Sequence, residues 1–86
     1  MDAVIIRLID MPVTVRGITV KDSNDDYNIF LNARLSAEMR VIALRHEVDH
    51  IRSGHFYDCR SVAEKELATR LREMLRNHPA QQDITA

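Results

Sequence analysis

The stretch that most constrains this chain runs from His46 to His50, which reads H-E-V-D-H and fits the pattern H-E-x-x-H. Each residue of an α-helix advances by about 100°, so His46 and His50 lie about 40° apart on one face, one turn apart along the axis. Two imidazoles in this arrangement can bind one metal ion. Glu47 then lies beside the ion, in the position of a general base that takes a proton from metal-bound water. The pattern therefore requires a helix and predicts a metal site on it.

The residues around the motif supply the signals of a helix with defined ends. Ser36 is a good N-cap, and Gly54 is a C-terminal stop. The helix is therefore predicted from about Ala37 to Arg52 or Ser53. Its apolar residues form two adjoining stripes, which predicts that the helix is buried between a sheet and a second helix.

Strands are predicted before this helix, and another helix after it. The β-branched run Ala3 to Ile9 suits a strand, and Val13 to Val20 alternates as a half-buried strand does. Within the second strand, Gly17 indicates a bulge or a close approach. Tyr27 to Asn32 follows across a polar loop, which favours an antiparallel hairpin. With a second helix over roughly Ser61 to Arg76, the prediction is an α+β fold with a small antiparallel sheet of two or three strands and two packed helices.

Size and composition narrow the class of protein. The 86 residues suit one domain, predicted over 1–78, with a flexible tail at 79–86. The net charge is −1 and the pI is near 6.4, whereas nucleic-acid-binding domains are usually basic. No direct nucleic-acid partner is therefore predicted. The apolar run at the start is too short to span a bilayer, so no membrane association is predicted. The single cysteine, Cys59, cannot form an internal disulfide, which favours a cytoplasmic location.

A third metal ligand must come from outside the motif. A catalytic zinc site usually takes three protein ligands and leaves the fourth position to water. The candidates that follow the motif are His55, Asp58, Cys59, Glu64 and Glu66. Glu64 lies on the predicted inward stripe of the second helix, whereas Glu66 is predicted to point to water. In an alternative arrangement, His55 and Cys59 join the two motif histidines in a closed structural zinc site.

Three segments carry a resemblance to a known family. They are Tyr27 to Ser36 (YNIFLNARLS), Ala43 to Gly54 (ALRHEVDHIRSG) and Val62 to Glu66 (VAEKE). Together they resemble the short members of the ImmA/IrrE family of zinc-dependent metallopeptidases, over about residues 12 to 70. The resemblance implies a minimal zincin-like fold, in which a strand feeds the active-site helix and a Glu on the next helix completes the metal site.

The resemblance also implies roles for individual residues. It makes His46 and His50 zinc ligands, Glu47 the general base and Glu64 the third ligand, with Glu66 in that role if the register slips by two. The implied activity is hydrolysis of peptide bonds in a protein or peptide substrate, such as a helix-turn-helix repressor of a phage or mobile element.

A binding module is the alternative function. In that case the domain keeps zinc as a structural staple, has no catalytic activity, and grips a partner protein. The gripping face is then predicted around Tyr27, Phe30 and Phe56.

Overall fold

The computed structural model describes residues 3–54 and 61–77, and it confirms the predicted α+β fold. The elements in chain order are β1 (Val4–Ile9), β2 (Gly17–Lys21), β3 (Tyr27–Asn32), α1 (Ala37–Ser53) and α2 (Val62–Asn77). The predicted tail at 79–86 lies outside the described residues. Within the described ranges, neither helix combines the length and the apolar character needed to cross a lipid bilayer.

The sheet is mixed, whereas an antiparallel sheet was predicted. Its strand order is β1-β3-β2, with β3 antiparallel to β2 and parallel to β1. The hairpin of β2 and β3 is therefore confirmed. The difference concerns β1, which runs opposite to β2 and is separated from it by β3. A strand inserted between two opposed strands must be parallel to one of them, which makes the sheet mixed.

The second strand is shorter and more deeply buried than its sequence pattern predicts. It begins at Gly17 instead of Val13, because the N–H of Val15 donates to the carbonyl of Pro12 at 2.9 Å and closes a turn ahead of the strand. The predicted half-burial is also wrong, since Ile18 and Thr19 point to opposite faces and are both fully buried. Both faces of β2 are therefore covered.

The two helices cover opposite faces of the sheet. One face packs against α2 in a cluster formed by Met11, Val15, Ile18, Val20, Phe30, Ala68, Leu71 and Leu75. The other face packs against α1 in a cluster of Ile29, Leu31 and Ala43. No Cα atom of α1 lies within 8 Å of a Cα atom of α2. The predicted burial of α1 between sheet and second helix is therefore wrong, because the sheet presents two apolar faces and each takes one helix.

Asn32 ties the β1–β2 connection to the end of β3. Its side chain is fully buried, and its Nδ2 donates to the carbonyls of Met11 (3.2 Å), Pro12 (3.1 Å) and Val15 (2.9 Å). Its Oδ1 accepts from the N–H groups of Met11 (3.3 Å) and Arg34 (3.1 Å). One side chain thus supplies hydrogen-bond partners for backbone groups in the β1–β2 connection and just after β3.

Replacing Asn32 with alanine is expected to lower the free energy of unfolding by about 3 kcal/mol, because several backbone groups lose their partners. The measurement is urea denaturation followed by circular dichroism. Ser23→Ala in the exposed hairpin loop is the control, with an expected change below about 1 kcal/mol. Equal losses in the two variants would show that the buried network contributes no special stability.

Candidate metal centre

The helix that carries the motif has both ends fixed by local hydrogen bonds. Ser36 caps the N-terminus, where its hydroxyl accepts from the N–H of Met39 at 3.2 Å. Gly54 ends the helix with a φ of 75°, a left-handed conformation that glycine adopts without strain. These are the predicted start and stop signals. They place the whole motif inside α1, as the spacing of its histidines requires.

The two motif histidines converge at one point on the helix surface. The Nε2 atoms of His46 and His50 are 2.9 Å apart, and the two rings meet edge to face at an interplanar angle of 85°. His46 is exposed and His50 is half-buried, so the meeting point is open to solvent. The predicted arrangement of two imidazoles on one face is therefore present.

The spacing of these nitrogens suits a shared metal ion. Zinc binds imidazole nitrogen at about 2.0–2.1 Å, so a tetrahedral ion holds two such nitrogens about 3.3 Å apart. The observed Nε2–Nε2 separation is 2.9 Å, and small rotations of the two side chains would open it to that value. Both nitrogens can act as ligands when the imidazoles are neutral. The two imidazoles, together with Glu47, form a group that could hold a metal ion.

Glu47 completes a group that can hold a metal ion. Ligand atoms of His46, Glu47 and His50 all lie within 4.8 Å of one another. Unlike the histidines, Glu47 is buried, with 5% of its surface exposed. Its carboxylate therefore lies beside the imidazoles but on the side of the helix that faces the sheet.

Two residues of β2 lie against the side chain of Glu47, and neither was predicted to belong to the site. The hydroxyl of Thr19 donates to Oε1 of Glu47 at 2.7 Å. A Cβ atom on Gly17 would lie 3.2 Å from Cγ of Glu47, so glycine allows the close approach at this position. The prediction of a close approach at Gly17 is thereby confirmed. Thr19 shares a sheet face with Gly17, which is the one sequence signal that points to it.

Removing the Thr19 hydroxyl is expected to destabilise the protein. Thr19→Val keeps the shape of the side chain but leaves a buried carboxylate oxygen without this donor, at a cost of about 2 kcal/mol. Urea denaturation at neutral pH measures it. Thr69→Val is the matched control, because the Thr69 hydroxyl donates to the carbonyl of Lys65 on the exposed face of α2. An unchanged stability of Thr19→Val would show that the bond contributes nothing to holding Glu47.

The structure does not bring Glu64 to the histidines. Glu64 forms a capping box at the start of α2, where its Oε1 accepts from the N–H of Ser61 at 3.0 Å and its own N–H donates to the Ser61 hydroxyl at 3.2 Å. Moreover, α2 lies on the sheet face opposite α1. The role of Glu64 as third ligand stays a prediction. The spacing S-x-x-E at 61–64 is the sequence signal for its observed role.

The remaining candidates for the third ligand divide into two groups. Glu66 is exposed on α2, and the described residues hold no metal-binding group that includes it. His55, Asp58 and Cys59 lie outside the described residues. The part of the site that the structure describes therefore consists of two imidazoles and one carboxylate, next to open solvent.

Comparison of the chain with protein-family models, with curated proteins and with solved structures finds no match.

Proposed function

We propose that this protein is a zinc-dependent metallopeptidase of the H-E-x-x-H type. The observation that carries the proposal is the convergence of the Nε2 atoms of His46 and His50 beside the buried carboxylate of Glu47. Two neutral imidazoles and a carboxylate are a ligand and base set suited to zinc. The two imidazoles are donors that suit a metal ion. The burial of Glu47 restricts the position of its carboxylate, as a general base requires.

Each residue of the centre has its own task in the proposed reaction. Bound zinc supplies Lewis acidity, which polarises a carbonyl group and makes water more acidic. His46 and His50 hold the ion at the surface, where a substrate has access. Glu47 takes a proton from the water that attacks the scissile carbonyl and passes it to the leaving amine. Thr19 keeps the carboxylate in place through the hydrogen bond to Oε1.

The third ligand is proposed to be Glu64, on the resemblance of the segment Val62 to Glu66 to the family described above. To reach the histidines, the carboxylate of Glu64 would have to give up the N–H of Ser61, and the start of α2 would have to move from the sheet face opposite α1. Glu64→Gln tests this role, because it would weaken zinc binding if the carboxylate is a ligand and leave it unchanged if the residue only caps α2.

The proposed substrate is a regulatory protein, such as a helix-turn-helix repressor of a phage or mobile element. This part of the proposal comes from the family resemblance alone. The proposed location is the cytoplasm, where such repressors act and where the thiol of the single Cys59 stays reduced.

A zinc-stapled binding module is the second candidate function. It is favoured by the mutual distances within the group, because Glu47 lies close enough to both histidines to serve as a ligand itself. The gripping face predicted from the sequence receives no such support, since Phe30 is fully buried and Tyr27 half-buried. Phe56 lies outside the described residues.

The direct test of the proposed activity is a cleavage assay with zinc-loaded protein. Purified helix-turn-helix repressors are incubated with it, and fragments are identified by mass spectrometry. We expect new termini within one repressor, and we expect a zinc chelator to stop their formation. Fragments that form equally in the presence of the chelator would indicate a contaminating protease and contradict the proposal.

A further inference from the structure

We draw no further inference here: the strongest candidate, the exposed apolar stripe of Val4, Ile6 and Leu8 on the outer strand β1, is an unpartnered strand face, and nothing in residues 3–54 and 61–77 shows what covers it.

Discussion

Replacing His46 with alanine is expected to lower the zinc affinity of this chain by about 100-fold or more. Each side-chain ligand contributes about 3 kcal/mol to the free energy of zinc binding, and this contribution is lost with the imidazole. His50→Ala should have the same effect, because the two Nε2 atoms meet at one point. Competition with a chromogenic chelator measures the affinity of each variant.

The control for this experiment comes from the same turn of the helix. Asp49 is exposed and belongs to the motif as one of its variable positions, so Asp49→Asn should keep the full zinc affinity. Circular dichroism establishes that each variant is folded. If His46→Ala stays folded and binds zinc as the unchanged protein does, the imidazole pair is not the metal centre.

Replacing Glu47 with glutamine is expected to reduce peptide cleavage by about 100-fold to 10,000-fold while zinc remains bound. An amide cannot take a proton from water, so the contribution of the general base is lost. The amide oxygen can still accept the hydrogen bond from Thr19. Glutamine also has the size of glutamate, so it fits the close packing against the backbone of Gly17. The measurements are the cleavage rate of a repressor substrate and the zinc content of the variant.

The zinc content of this variant separates the two candidate functions. If Glu47 is the base, Glu47→Gln keeps one equivalent of zinc and loses only activity. If Glu47 is a ligand of a structural staple, the variant loses zinc and stability together, and the peptidase proposal fails. Glu38→Gln, at an exposed position in the first turn of the same helix, should change neither property.

The features that could be predicted from the sequence are those set by residues close together in the chain. The ends of α1 follow from Ser36 and Gly54, each of which acts within four residues of itself. The pairing of His46 with His50 follows from helix geometry alone. Local signals of this kind do not depend on how the elements pack.

The features that could not be predicted depend on packing across the sheet. Alternation in β2 gives no sign that a helix covers each face, so the opposite placement of α1 and α2 could not be foreseen. Thr19 is 28 positions from Glu47 in the chain, and its contact exists only because α1 crosses β2. The second helix buries Ala68, Leu71 and Leu75 on the sheet face opposite the histidines, and its sequence gives no sign of which face it takes.

The zinc content of the purified protein tests the central claim most directly. Protein prepared without chelator is analysed by mass spectrometry for metals, then stripped with a chelator, dialysed and offered zinc again. The proposed metal centre should hold about one equivalent of zinc per chain, lose it to the chelator and regain it on reloading. A folded protein that contains almost no metal and takes up none when zinc is added would contradict that claim.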